Sequence, residues 1–151
     1  MSQSSSGPSS VQTRIEDSLK RQGMMRHLEA RVIQAEPGRV RVSMPYSDKV
    51  TQQQGGFHGG ATGALADIAC GYAALTVCED GMEVTTVEYK INFLAAFQGG
   101  ELQAVGRVIR AGKRVIITQG EVTHHSEDGQ VNVCAIMQAT VAPVPNKAPN
   151  P

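Results

Sequence analysis

Apolar residues recur along this chain at two different periods. Val11, Ile15, Leu19 and Met24 fall near helical spacing, which predicts an amphipathic helix over 11–25 leaning on the body of the domain. Residues 29–36 and 39–44 are β-rich runs joined by Pro37-Gly38, and Val40, Val42 and Met44 alternate with polar neighbours. That pattern predicts a hairpin with a tight turn. After a polar, irregular stretch over 46–56, residues 60–78 carry Ala, Leu, Ile and Val on every side, as expected of a helix buried all round. Past Glu79-Asp80-Gly81 come four β-like runs, 83–94, 101–111, 113–125 and 130–142. Gln98-Gly99-Gly100, Ala111-Gly112 and Ser126-Glu127-Asp128-Gly129 separate them. Links this short join antiparallel neighbours. The order helix, two strands, helix, four strands predicts an α+β domain in which a curved antiparallel sheet wraps around the apolar helix.

Composition narrows the class. A chain of 151 residues with 40% hydrophobic content is sized for one domain that buries roughly 70% of its unfolded surface. Fourteen Lys+Arg balance fourteen Asp+Glu, so no global positive field holds the protein on nucleic acid or anionic lipid. No apolar stretch reaches the ~20 residues of a bilayer span. The opening MSQSSSGPSS has neither the basic nor the apolar region of a secretory signal. Cys70, Cys78 and Cys134 show no CxxC pair and no zinc spacing. Together these features predict a soluble, cytoplasmic protein with reduced thiols. Residues 1–10 and 143–151 read as disordered tails, the second because of Pro143, Pro145, Pro149 and Pro151, which leaves 11–142 as the domain.

One residue breaks the apolar pattern. Asp67 stands in Ala64-Leu65-Ala66-Asp67-Ile68-Ala69-Cys70, where an ionised carboxylate is costly unless something pairs with it. Either it faces solvent along a narrow stripe, or it makes a structural hydrogen bond, or it belongs to a functional site. Eight residues earlier, Gly59 and Gly60 follow His58 at the expected start of the same helix. A helix start offers unpaired N–H groups and the positive end of the dipole, and glycine lets a ligand approach the backbone. His58 itself reads more naturally as a hydrogen-bonder orienting the loop than as a catalyst.

The segments His58-Gly59-Gly60-Ala-Thr-Gly-Ala-Leu-Ala-Asp67, Thr86-Val-Glu-Tyr-Lys-Ile-Asn92-Phe-Leu and Gly106-Arg-Val-Ile-Arg-Ala-Gly112-Lys-Arg resemble the hotdog-fold acyl-CoA thioesterases of the phenylacetate-pathway (PaaI-like) type, over roughly residues 32–141. The resemblance implies a curved sheet around a central helix, a homodimer pairing into a dimer of dimers, and hydrolysis of an acyl-CoA thioester without metal or cofactor. Carried over residue by residue, it makes Asp67 the catalytic carboxylate and Gly59 the amide donor to the thioester carbonyl. The family's amide side chain six residues before the His falls on Gln52, with Gln53 and Gln54 adjacent. Its water-holding hydroxyl falls on Thr86, next to Thr85. His58 completes the catalytic set and Gly60 borders the substrate.

Thioester hydrolysis builds negative charge on the carbonyl oxygen, and one fixed N–H donor there is typically worth about 3–4 kcal/mol. Asp67 then either deprotonates a water or attacks to give an acyl anhydride. CoA phosphates need local cations, and Arg107, Arg110, Lys113 and Arg114 cluster around Gly112. Of these, Lys113, Arg114 and Arg110 are the candidates for substrate binding. Phe57, Tyr72, Phe93 and Phe97 are candidate walls of an acyl pocket. Two other readings compete: a non-catalytic acyl-CoA sensor, and a hotdog hydratase/dehydratase, which the glycines after His58 disfavour. His27, His58 and His124-His125 lie too far apart for a ligand spacing such as HExxH, and His124-His125 reads as exposed beside the 126–129 turn. Finally, eight helical residues span ~12 Å, so Gly59 and Asp67 of one chain do not reach the same carbonyl. If both are catalytic, a second copy supplies one of them.

Overall fold

The computed structural model describes residues 9–147. Its elements are α1 (Ser10–Lys20), α2 (Gly23–His27), β1 (Arg31–Glu36), β2 (Arg39–Pro45), a 3-10 turn (Asp48–Val50), α3 (Gly59–Leu75), β3 (Met82–Phe93), β4 (Glu101–Ala111), β5 (Ile116–His125) and β6 (Val131–Pro145). The six strands form one antiparallel sheet in the order β1-β2-β4-β5-β6-β3. It curves around α3, as the sequence pattern predicts.

Glycine decides how closely helix and sheet approach. A Cβ on Gly106 of β4 would stand 2.2 Å from the Ala69 carbonyl oxygen, and one on Gly120 of β5 would stand 2.9 Å from Cys70 Sγ. Two missing side chains therefore let α3 settle on the middle of the sheet. Around that contact Val40, Val42, Met44, Leu65, Leu75, Leu102, Val122 and Val141 are buried. Full burial of each such side chain favours folding by about 1.5–3 kcal/mol.

The first helix is shorter than the 11–25 expected. Ser9 Oγ caps it by accepting from Gln12 N, and Gln22, with φ −90° and ψ 110°, breaks it before the five-residue α2. Ile15 and Leu19 are buried, and Arg14 reaches across to the end of α3. Its guanidinium donates to the carbonyls of Leu75, Cys78, Glu79 and Met82 at 3.1–3.5 Å. Two of the four, the Leu75 and Glu79 carbonyls, also accept from Cys78 N and Met82 N, so the guanidinium adds a second donor there and ties α1 to the end of α3. Thr76 closes α3 by donating to the Ala73 carbonyl at 2.6 Å and accepting from Gly38 N at 2.8 Å, which is why the helix stops short of residue 78.

The C-terminal boundary also differs from expectation. β6 runs on through Pro143 to Pro145, paired with Val84, Glu83 and Met82. Asn146 N donates to the Gly81 carbonyl, so by strand alternation Val144 also faces β3 while Pro143 and Pro145 face the other side. On that side β5 has already ended, at Ile116 opposite Val141. The prolines remove donors that had no acceptor to find. Residues 1–8 and 148–151, part of the expected tails, lie outside the described residues.

Of the two sheet edges, β1 packs against α1. The twelve-residue β3 is paired only on its β6 side and leaves Val87, Tyr89 and Phe93 exposed.

Candidate active site

The start of α3 is built by its cap. His58, in extended backbone, accepts the Gly60 N–H at Nδ1 (2.7 Å), and its carbonyl accepts from Thr62 N. This is the loop-orienting role expected of His58. The Gly60 amide is thereby taken. The Gly59 N–H has no protein acceptor among the described residues, because the first turn of a helix has no carbonyl to offer it.

The loop before the helix presents one glutamine. Gln52 N donates to the Gly56 carbonyl and Gly55 N to the Gln52 carbonyl, with Gly55 at φ +87°. The Gln52 Oε1 accepts from Gln54 N, which leaves its NH2 as the free end. Gln52, Gly59, Phe57, Phe93 and Phe97 line a mainly apolar cavity of about 370 Å³, while Gln53 and Gln54 are exposed and outside it. Three of the four aromatic walls named from sequence meet here.

Two turns along α3, Asp67 is half-buried, not enclosed. Gly60 is exposed and Ala64, Asp67 and Ile68 are half-buried, so the helix shows solvent a narrow stripe where burial all round was expected. Asp67 Oδ1 accepts from Thr86 Oγ1 at 2.6 Å, which picks Thr86 over Thr85. Directly after Thr86, β3 carries a β-bulge between Thr86 and Glu88. Before it the even-numbered Val84 and Thr86 face α3; after it the odd-numbered Tyr89 and Phe93 do. The result is a row in which Val84 lies over Gly71, Thr86 over Asp67, Tyr89 over Gly63 and Phe93 over Gly59. Without the extra residue, strand alternation would turn Tyr89 and Phe93 away from the helix.

Asp67 and Thr86 line a separate cleft of about 330 Å³ with Gln22, Tyr72 and Glu83. Tyr72, the fourth aromatic candidate, is buried there. Its hydroxyl donates to Ser18 Oγ at 3.1 Å and accepts from Gln22 Nε2 at 2.7 Å. The pairing of Gln22 with Tyr72 had no sequence signal, since fifty positions separate them. Within one chain, then, Gln52 and Gly59 share one cavity and Asp67 and Thr86 another.

The thiols offer no competing nucleophile. Burial pushes Cys70 and Cys134 up to about 11, and it raises Cys78 as well, so all three stay protonated near neutral pH. Among the described residues, no group of three or more His, Cys, Asp or Glu is placed to hold a metal ion.

The sequence model of the thioesterase superfamily matches residues 54–131, slightly over half of the chain. The chain belongs to the thioesterase superfamily. This thioesterase superposes on the crystal structure of a thioesterase family protein from Silicibacter pomeroyi with a TM-score of 0.86 and 34% identity, covering 90% of this chain and 99% of that one. It also shares the fold of the Escherichia coli PaaI protein from the phenylacetic acid degradation operon, with a TM-score of 0.76 and 20% identity over 89% of this chain and 96% of the other. Its sequence is 27% identical over 120 residues to the 1,4-dihydroxy-2-naphthoyl-CoA hydrolase of Listeria monocytogenes, spanning 80% of this chain and 94% of that protein. The protein is a thioester hydrolase with the hotdog fold.

The basic residues of this thioesterase lie elsewhere. Arg107 and Arg110 on β4 and Lys113 and Arg114 in the turn after it are all exposed, and none joins an ion pair among the described residues. Lys113 borders a third cavity, of about 420 Å³, with Val77, Cys78 and Met82, at the opposite end of α3 from Gly59. His124, expected on the surface, is instead 3% exposed. Strand alternation on β5 turns it inward with Val122, a position its polar character hid.

Proposed function

We propose that this protein hydrolyses acyl-CoA thioesters to a free acid and CoA, at sites each shared by two copies of the chain. The observation that carries this reading is the separation just described. A carboxylate held by a hydroxyl and an unpaired helix-start N–H are the two groups the reaction needs, and one chain keeps them in different cavities. The uncovered β3 edge supports the assembly: a second β3 pairing antiparallel along it would satisfy its open backbone groups and lay two α3 helices side by side. The exposed Ile109 and Ile136 on the sheet supply apolar surface for a dimer of dimers.

In such a site the Gly59 N–H and the Gln52 NH2 of one copy hold the thioester carbonyl oxygen. On the opposite side Asp67 of the other copy takes a proton from a water held at Thr86 while the water oxygen bonds to the carbonyl carbon. Collapse of the tetrahedral oxyanion breaks the C–S bond, and the CoA sulfur leaves with the proton that Asp67 returns. Direct attack by Asp67 gives an acyl anhydride that water then opens. Both routes use the same carboxylate. The name of the Listeria relative supports an acyl-CoA substrate, and the unpaired thiols support a cytoplasmic location. Release of free thiol from a panel of acyl-CoAs tests the reading; no release from any of them would leave a binding protein.

Sharing is tested by complementation. Gln52→Ala and Asp67→Asn chains, each impaired alone, are unfolded together and refolded, so that in a hybrid dimer one site collects both lesions and the other is wild type. Statistical mixing should restore up to about a quarter of wild-type activity. Activity no higher than the mean of the two parents, in a mixture shown to contain hybrids, would exclude shared sites.

Lys113 and Arg114 are proposed to meet the CoA phosphates. Replacing either by Ala should raise KM for CoA esters several-fold at nearly constant kcat, the signature of lost uniform binding. The same acyl group on a short pantetheine thiol should be unaffected. Equal effects on both substrates would remove the phosphate role.

A further inference from the structure

We infer that His124 is a positioning residue that fixes the wall of the Gly59 cavity through a single hydrogen bond to Gly99; the inference rests on the thioesterase reading of that cavity. His124 lies opposite Leu102 in the sheet and is 3% exposed. Its ring stacks on Phe97, with centroids 4.5 Å apart and planes 10° from parallel, and meets Phe57 edge-on at 6.2 Å. Both aromatics wall the cavity that Gln52 and Gly59 line. Phe57 directly precedes His58 and Gly59, and its N–H donates to the Phe97 carbonyl. His124 thus touches both segments that shape the cavity.

The remaining contact gives the ring its chemical role. Nε2 lies 2.9 Å from the Gly99 carbonyl oxygen. A carbonyl only accepts, so Nε2 carries the proton and Nδ1 is left with a lone pair. That Nδ1 is buried without a partner among the described residues. A phenylalanine in this slot would keep the stack on Phe97 and bury no unpaired nitrogen. What it would lack is the N–H to Gly99.

Gly99 and Gly100 follow the Phe97-Gln98 wall at φ +73° and +62°, a backbone conformation with little intrinsic preference to hold its place. From this turn the Gly100 carbonyl accepts from Tyr46 N. The Tyr46 hydroxyl in turn donates to the Gly55 carbonyl at 2.6 Å, and its ring packs edge-on against Phe57 at 5.3 Å. A continuous chain of contacts therefore runs from the His124 N–H through the glycine turn to the loop that presents Gln52 and Gly59. Because the N–H donor bonds the developing oxyanion more strongly than the substrate carbonyl, loosening this chain should reduce kcat more than substrate binding.

His124→Phe and His124→Gln separate the bond from the packing, since a Gln side chain places an N–H near the position of Nε2. His124→Phe should melt no lower than wild type, yet lose about tenfold in kcat with KM within about twofold. Amide hydrogen exchange should quicken in residues 52–59 and 97–100. His124→Gln should regain most of kcat and most of the exchange protection. Unchanged exchange in both segments of His124→Phe, or a fall in kcat no greater than its loss of folded protein, would overturn the inference. If the Phe variant does not fold, His124→Met, which also lacks the donor, is compared with His124→Gln by the same two readouts. A wild-type protein that releases thiol from no acyl-CoA would sink the thioesterase reading alone, because the exchange comparison still decides the role of His124.

Discussion

Asp67→Asn should lower kcat by at least about a hundredfold while the variant folds and binds acyl-CoA as the wild type does. The two side chains are nearly the same size, and the amide oxygen can still accept from Thr86 Oγ1, now 2.6 Å from the carboxylate. The half-buried position on α3 therefore suffers no new cavity and no lost hydrogen bond. What disappears is the capacity to take a proton or to attack a carbonyl carbon, in either route. Steady-state thiol release on the purified variant, with its melting temperature as control, measures this. Turnover retained at normal stability would remove Asp67 from the chemistry and leave Thr86 without a function beyond holding the helix.

Gly106→Ala is expected to have the largest effect on stability. The new methyl would stand 2.2 Å from the Ala69 carbonyl oxygen, 2.3 Å from its carbon and 2.6 Å from Cys70 N. No side chain can swing aside to relieve contacts with backbone, so helix and strand must separate. Overpacking in a core usually costs about 1–3 kcal/mol, and a clash with main chain belongs at or above the upper end of that range. A loss of about 3 kcal/mol lowers the melting temperature of a domain this size by roughly 10 °C. The disturbed peptide lies two residues beyond Asp67, so activity should fall even where the variant is still folded. A melting curve matching the wild type would mean that α3 and β4 do not meet as closely as these distances require.

The sequence carried the architecture because the architecture is made of periods and breaks. Alternating Val40, Val42 and Met44 and the Gly-containing links of the last four strands were enough to place the hairpin and the antiparallel sheet. Asp67, Gly59 and Gln52 were visible as departures from pattern or as matches to a motif. Features set by pairing partners were not visible. Nothing in Met82–Phe93 marks the bulge after Thr86, because a bulge is a property of two strands and the register between them. Pro143 and Pro145 read as breakers until it is known where β5 ends. His124 looked like surface because histidine usually is, and only its strand partner and the aromatics around it account for its burial. The division of the site into two cavities is the intermediate case: the helical rise alone predicted it, while the cavities' walls needed coordinates.

The grip of Arg14 on four carbonyls at the far end of α3 bears on how this enzyme can be trimmed or tagged. The helix that carries Asp67 is capped at its C-terminal end by a residue some sixty positions earlier in the chain. The first helix is therefore structurally tied to the end of α3. A shortened version beginning after residue 20 would lose all four of these bonds, while an addition placed ahead of Ser9 leaves them intact.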